Sequence, residues 1–426
     1  MKSWITIWLL CVSGFSLKGQ TQLKKIEKEL NSLRYSELIQ SMTQRSILIP
    51  NYFSDLKGLV ARQAYNFWKL NESEKLVSHL NVYKALHDAN KYLNYDSIHD
   101  RYYHELLGHS FSVTSILFGT DNEFYSAGSD GRVLRWNFAS LNEPPAIVYE
   151  GNVPIRSIDL SAGSEFLMIV TRDKGLRFID LLSSEIDGLN AIGQDDEVAQ
   201  AASFVPGENK YVLINKEGQV KIKGFNGNKT VGETSEKVSS IKVHPTSKTI
   251  YAGTESGNLI SWDTVRSITR EIEESFPVNA IAISSDQKVM ALGREKGDVI
   301  LWDIEQDQLL RIISGHQSAI TDLDFSPDDK LLLTASRDRT ARVWDIRNPR
   351  KLPIVLDDHG DWVMSARFSQ NGDYILTGSK DNLIRKWPVN PDILAARICQ
   401  YIKRQLTTDE WKNYAGEKPY ERTCPN

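Results

Sequence analysis

The sequence predicts an all-β ring of seven four-stranded sheets with helical segments at both ends. Two observations predict it. Four segments end alike, in VLRWNF, LISWDT, VILWDI and ARVWDI, which places Trp136, Trp262, Trp302 and Trp344 at matching positions, and LIRKWPV adds Trp387. Two weaker copies, LRFIDL and VKIKGF, fall between the first and second of these. With Ile179 and Lys223 as their equivalents, the successive steps are 43, 44, 39, 40, 42 and 43 residues. A period of roughly 40–45 residues is that of one blade of a β-propeller, so the fold expected is a seven-bladed propeller.

Each unit repeats one internal order. A strand such as ITDLDF meets a turn such as SPDDK, then the apolar strand LLLTAS, the tight turn RDRT and a last run, ARVW. The other units carry SQNGD, SSDQK, HPTSK, VPGEN and SAGSE at the first turn. Gly, Pro, Asp and Asn gather there because hairpin turns need their backbone geometries. The short apolar runs between turns read as strands covered on both faces by neighbouring blades. A single unit cannot hide both faces, so the units must stack or close. After Trp387 the chain reads PVNPDILAARICQYIKRQL, where Pro388 and Pro391 lead into a helical pattern. Blade seven therefore lacks an outermost strand, and Tyr102–Leu107, just before blade one, is expected to supply it and remove a reactive sheet edge.

The segments GHQSAITDLDFSPDDKLLLTASRDRTARVWD (Gly315–Asp345) and HGDWVMSARFSQNGDYILTGSKDNLIRKW (His359–Trp387) resemble WD-repeat β-propellers. That resemblance implies a buried network of His, Ser or Thr, turn Asp and Trp in each good copy. By position it would be His316, Ser336, Asp338 and Trp344, and then His359, Ser379, Asp381 and Trp387. In both copies the offsets are 22 residues from His to Asp and 6 from Asp to Trp. Blade one keeps His109, Asp130 and Trp136, but Gly128 stands where the hydroxyl is expected. The other four units lack the set, with Ser256 and Lys296, for example, at the Asp position, and are expected to rest on apolar packing. Recurrence of the set beside a Trp at fixed spacing argues for a structural network rather than a hydrolase triad.

Residues 22–98 read as helices. One apolar stripe runs through Leu23, Ile26, Leu30 and Leu33, a second through Leu56, Leu59, Val60, Ala64, Phe67 and Trp68, and a third through Leu80, Tyr83, Leu86 and Leu93. A small helical cap is the expected outcome. Residues 391–426 form a tail with a helix near Ile393–Gln405 and a second, shorter one capped by Thr407 or Thr408. ARQAYNFW before the ring and EWKNYAGEKPYERTCP after it resemble the segments flanking propellers in bacterial proteins that join STAND-type NTPases to WD repeats. No GxxxxGK[ST] loop occurs, so the phosphate-cradling part of such proteins is missing here.

The chain opens MKSWITIWLLCVSGFSLKGQTQ, with Lys2 before an apolar run from Trp4 to Phe15. This pattern predicts a secretory signal peptide over residues 1–19, cut before Gln20 or Thr21, with an uncleaved anchor as the alternative. Leu10 is too bulky for Cys11 to be a lipidation site. Removal of Cys11 would leave Cys399 and Cys424 as the only cysteines, able to pair with each other in an oxidising compartment. Domain organisation is thus a signal peptide (1–19), a helical region (22–98), the propeller (100–390, closed by a strand near 101–107) and the tail (391–426).

A formal net charge of −4 gives no basic field for nucleic acid, and no later stretch has the length of a membrane span. The eight His are scattered, no CxxC or GxSxG occurs, and the sequence implies no metal or other cofactor. Asp195, Asp196 and Glu197 read as a solvated acidic run. Arg294, Arg337, Arg339, Arg342 and Lys380 fall around hairpin turns, either as a cationic rim for an acidic partner or as charges that keep strand edges soluble. Trp362, at the start of blade seven's first strand, stands either exposed as a binding anchor or tucked into the next blade. Trp362, Arg337, Lys380 and Arg294 are the candidate partner-binding residues. The expected function is that of an exported, periplasmic or secreted, bacterial scaffold without enzymatic activity, binding a protein or peptide. An exported propeller enzyme and an envelope-polymer or carbohydrate binder are the alternatives.

Overall fold

A computed structural model describes residues 17–70, 79–93, 103–119, 122–173, 175–182, 191–195, 197–224, 228–263, 269–272, 276–348 and 352–425. The signal-peptide expectation falls almost wholly outside these residues. Two compact units divide the chain: Tyr103–Trp387, and the segments on either side of it.

Tyr103–Trp387 forms seven antiparallel four-stranded sheets. Their innermost strands are Val113–Phe118, Ile155–Leu160, Ala199–Phe204, Val238–Val243, Val278–Ile283, Ile320–Phe325 and Val363–Phe368. Each innermost strand packs on the next, and the seventh packs on the first, so the blades close a ring. In six blades the four strands follow one another in the chain. In the seventh, the outermost strand is His104–Leu106, which pairs antiparallel with Ile384–Lys386. Leu106 is buried there among Val113, Phe124, Leu134, Trp136, Leu376 and Ile384, where blades seven and one meet. Tyr103 lies against Trp387, with ring centroids 4.3 Å apart.

Two recurrent backbone features define the blade. Five residues before each repeat Trp or its Lys223 equivalent, the hairpin turn holds a residue with positive φ: Gly131 (80°), Gly218 (81°), Gly257 (105°), Gly297 (92°), Arg339 (68°) and Asn382 (73°). At Gly218 a Cβ would come within 1.7 Å of the Thr234 carbonyl oxygen, so glycine is required there by contact as well as by φ. The second feature is a register shift at the second residue of every innermost strand. The extra residues are Thr114, Arg156, Gln200, Ser239, Asn279, Thr321 and Met364, one from each blade. A bulge of this kind re-aims a side chain, and all seven of these residues line the central channel.

The second unit joins both flanks. Helices α1 (Leu17–Leu48), α2 (Ser54–Leu70) and α3 (His79–Leu93) come from the N-terminal side, and α4 (Pro391–Tyr401) and α5 (Thr408–Ala415) from the tail. The second stripe is buried as its spacing requires: Leu59, Val60 and Ala64 are fully covered, with Phe67 and Trp68 nearly so. Lys57, equally buried, is neutralised by Asp88 and also donates to the Ile47 carbonyl at 3.2 Å. The first stripe behaves differently. Ile26, Leu30 and Leu33 are each about half exposed, so α1 packs only through later residues such as Ile39 and Met42.

The tail is built into this helical unit. Tyr65 donates to Asp392 at 2.7 Å, Asn90 to the Leu394 carbonyl at 3.1 Å, and Arg45 to the Asn413 carbonyl at 2.7 Å. Thr407 and Glu410 form a reciprocal capping box at the start of α5. Trp411, buried, meets Phe67 edge-on at 6.0 Å and Tyr420 at 5.0 Å. Tyr414 lies under the Arg45 guanidinium at 4.5 Å. A disulfide joins Cys399 to Cys424 across a Cα–Cα distance of 5.4 Å, and the Gln405 side chain pins the same turn through Thr423 and Cys424. No described helix is long and apolar enough to cross a membrane.

Two outcomes follow from these contacts. A chain beginning at residue 108 loses the strand that covers Ile384–Pro388, and size-exclusion chromatography should show aggregation in place of a monodisperse species. The Cys399→Ser/Cys424→Ser double variant should lose about 3 kcal/mol from the helical unit by the chain-entropy argument, measured as a lower denaturant midpoint.

Candidate functional site

Three polar or aromatic constellations in the ring carry candidate residues: the His–Asp–Trp networks, a rim patch around Trp362, and the central channel. In blade six Trp344 Nε1–H donates to Thr334 Oγ1 at 3.0 Å, and Thr334 lies 2.6 Å from His316 Nε2. His316 Nδ1 faces Asp338 at 2.8 Å. The carboxylate can only accept, so Nδ1 carries the hydrogen, Nε2 accepts from Thr334, and every group in the chain Trp–Thr–His–Asp has its partner. Burial pushes the His316 pKa down more than Asp338 raises it, so the ring stays neutral. Burial alone would raise the Asp338 carboxyl, but His316, Thr340 and the Gln317 amide overcome this and hold it well below the usual carboxylate range.

The hydroxyl of this network is therefore Thr334, not Ser336. Ser336 is also fully buried, but it serves the turn, donating to the Ser318 carbonyl at 3.0 Å and accepting from the Asp338 amide at 3.1 Å. The same correction applies in blade seven, where Thr377 bridges Trp387 (2.9 Å) and His359 (2.8 Å) while Ser379 holds the turn. It also completes blade one. Ser126 bridges Trp136 and His109, both at 2.8 Å, and His109 Nδ1 meets Asp130 at 3.0 Å, so Gly128 leaves no gap. At Gly128 a Cβ would stand 2.5 Å from both Asp130 and His109, which explains the glycine.

Blade seven departs at its last link. Asp381 accepts from Gly360 N–H at 2.7 Å and pairs with Arg385 at 2.9 Å, and His359 Nδ1 makes no hydrogen bond to it. Burial, reinforced by the Arg385 charge, pushes the His359 pKa down to about 3.

The four remaining blades do not rely on apolar packing alone. In blade three Glu197, far from being a solvated acid, pairs with Lys221 and Lys223, each at 2.9 Å, and accepts from Asn215 at 3.0 Å. These bonds, led by Lys221, bring its pKa down to about 2. Glu236 in blade four accepts from Asn258 at 2.6 Å and from Ser256. Both glutamates stand two residues before the innermost strand, an offset the two blades share in the sequence. Blade two uses Thr171 with Asp173, and blade five the buried pair Arg294–Asp298.

That last pairing corrects the place of Arg294. Only 6 % exposed and forked onto Asp298, it supports its own hairpin and offers no free charge at the rim. Arg342 is similarly turned inward, 3.6 Å from Asp338. Arg337 and Lys380 do reach the rim. Lys380 Nζ sits 4.2 Å and the Arg337 guanidinium 5.1 Å from the ring centroid of Trp362, which is 38 % exposed. Trp362 is thus displayed rather than tucked into the neighbouring blade. Glu295 pairs with Arg337 at 3.0 Å and Asp361 with Lys380 at 3.7 Å, which positions both cations beside the indole. Phe111, Val198 and Phe276 are also exposed, each one or two residues before an innermost strand, as Trp362 is. The loops that enter the inner strands therefore set four apolar side chains on one face of the ring.

The channel encloses a cavity of about 270 Å³. Its carboxylates are tied to neighbouring blades: Asp159 accepts from Phe204 N–H at 2.8 Å and Ser203 at 2.9 Å, and Asp322 accepts from Ser365 at 2.8 Å, the Ala366 amide and Arg367. Asp324, outside the cavity lining, accepts from Phe368 N–H at 2.7 Å, and burial pushes its pKa up to about 6 against the pull of Arg367. Among the described residues no group of three or more His, Cys, Asp or Glu is arranged to hold a metal ion.

The family model described as "WD domain, G-beta repeat" matches residues 101–137, 307–345 and 350–388. The chain is 42 % identical over 62 residues to the WD repeat and SOCS box-containing protein 1 of Homo sapiens, covering 14 % of this chain and 15 % of that protein. It is 29 % identical over 163 residues to Protein groucho of Drosophila melanogaster, covering 35 % of this chain and 22 % of that protein. To the Set1 complex component swd2 of Schizosaccharomyces pombe it is 44 % identical over 43 residues, 10 % of this chain and 12 % of that protein. The matched stretches thus span less than a quarter of each relative's length.

Replacing Thr334 by Val keeps the shape but strands His316 Nε2 and Trp344 Nε1. A loss of about 1–3 kcal/mol is expected in chemical denaturation. The His359 pKa is lower in the folded protein than its ordinary value of 6.5, so the folded ring binds fewer protons between about 6.5 and 3. Its contribution is complete above pH 6.5 and is lost as pH falls through that window. Denaturant midpoints measured from pH 7 to 4 should fall more steeply for wild type than for His359→Gln.

Proposed function

We propose that this chain, which belongs to the WD-repeat β-propeller family, is an exported, non-enzymatic platform for protein–protein interaction. Propellers of this family generally bind protein partners. The observation that carries the proposal is the Trp362 patch: an exposed indole flanked by Lys380 and Arg337, on the ring face that also displays Phe111, Phe276 and Val198. Tryptophan and arginine dominate the energetics of interfaces because one large rigid side chain buries much area and a planar guanidinium pairs with carboxylates in two directions. A partner with an apolar side chain for the indole and an acidic group for the cations fits this patch. The relative named as a component of the Set1 complex is by that name part of an assembly, and membership of an assembly is the role proposed here.

Export draws support from the Cys399–Cys424 disulfide, which persists in an oxidising compartment, and from the signal-peptide pattern of residues 1–19. The periplasm or the medium outside a bacterial cell is the proposed location.

Affinity capture from intact cell envelopes with wild type and Trp362→Ala tests this directly. Wild type should retain one stoichiometric protein that the variant loses. Equal capture by both proteins would move the docking surface elsewhere on the ring.

A further inference from the structure

The bulge residues at the channel mouth differ in one respect: Thr114, Gln200, Ser239, Asn279, Thr321 and Met364 are uncharged, whereas Arg156 carries a full charge. Its guanidinium is not free to wave. It crosses from blade two to its neighbours, where Nη1 donates to the Gln200 carbonyl at 2.7 Å and Nη2 to the Ser239 carbonyl at 3.2 Å. Two backbone anchors fix the plane of the group and leave donors facing the cavity. No described carboxylate lies within ion-pair distance of it, and Glu255, whose charge it feels, is held by Lys237 at 3.4 Å.

A second cation lines the same cavity. Lys242 lines the cavity from the strand that holds Ser239, three residues further along. Three residues of strand are about 10 Å, within the combined reach of a lysine and an arginine side chain. Lys242 also has no described carboxylate within ion-pair distance, although it feels the charge of the buried Asp324. The acids that line the cavity are engaged elsewhere, Asp159 with Ser203 and Phe204, and Asp322 with Arg367 and Ser365. Ser239, Ser240 and Gln200 add short polar groups around the two cations.

We infer that the channel mouth is an oxyanion site, in which Arg156 and Lys242 together hold a carboxylate or phosphate group small enough for the cavity. Arg156 and Lys242 are both exposed to the channel, and two cations without a carboxylate partner attract an oxyanion more strongly than either does alone. The fixed guanidinium favours planar, two-oxygen recognition. The inner strands begin on the face that displays Trp362, so the site rests on the docking-platform reading and sharpens it by naming an acidic group as what enters the channel.

The test uses the full chain in chloride buffer at constant ionic strength, titrated separately with inorganic phosphate, malonate and a glutamate-rich hexapeptide, and read by calorimetric titration and by thermal shift. At least one of the three should bind and raise the melting temperature, and Lys242→Gln and Arg156→Gln should each weaken that binding at least tenfold. A response to phosphate or malonate makes a free small ion sufficient, whereas a response confined to the peptide makes the source an acidic segment of a partner. Arg156→Gln also removes two backbone bonds, so Lys242→Gln, which disturbs no fold contact, is the deciding variant. Equal responses in wild type and Lys242→Gln, or none to any of the three, would overturn the proposal. Loss of the envelope partner in Trp362→Ala is read independently, so the docking platform stands or falls on its own result.

Discussion

The pairing of His104–Leu106 with Ile384–Lys386 is the constraint on which the rest of the ring depends. Six blades are built from consecutive strands and would stack in any number. Only the seventh takes its outer strand from the other end of the unit, and only this turns an open stack with two sticky edges into a closed ring. The energy does not come from three residues of ladder alone. Leu106 is buried in the cluster shared by blades seven and one, and Tyr103 covers Trp387. Closure then brings the seventh inner strand against the first, where the Ile116 amide donates to Ser365 at 3.1 Å, and fixes the channel that the bulge residues line.

Inside blades one, six and seven, the buried repeat tryptophan is matched to its partners by directionality. Trp Nε1–H can only donate and Asp can only accept, so a hydroxyl and a neutral imidazole between them complete one ordered chain. Blades one and six satisfy it fully. Blade seven diverts its Asp to Arg385 and away from His359, and burial together with that cation makes His359 resist protonation. Blades two to five tie their hairpins with other chemistry, most clearly through Glu197 and its two lysines, and in blade four Trp262 Nε1 is buried without a hydrogen bond. Rigid loops result in either case, and rigid loops let a propeller display Trp362, Lys380 and Arg337 in fixed relation.

Much of the fold was legible in the sequence, because Trp136, Trp262, Trp302, Trp344 and Trp387 mark the period and two weak copies fill the gap. The network hydroxyl was not legible by spacing alone. Ser336 and Thr334 lie two residues apart on one strand and so share a face. The pairing of Leu332 with Trp344 and Thr334 with Arg342 decides which one reaches the imidazole. Arg294 was misplaced for a related reason, since only the fold shows that Asp298, four residues on, turns it inward. The joining of the tail to the N-terminal helices was equally hidden: Tyr65–Asp392 and Asn66–Thr423 are contacts over more than three hundred residues that no local pattern announces. The channel mouth became visible only once a register shift at the same place in all seven blades showed where Arg156 points.

Hydrogen–deuterium exchange of the intact protein reports most directly on the closed ring. If the strand pairing closes it, the amides of His104–Leu106 and Ile384–Lys386 exchange with one common protection, comparable to that of the inner strands of blades one and seven. Fast, independent exchange at His104–Leu106 with full protection elsewhere would contradict the account, because the ring would then hold its shape without the strand that closes it.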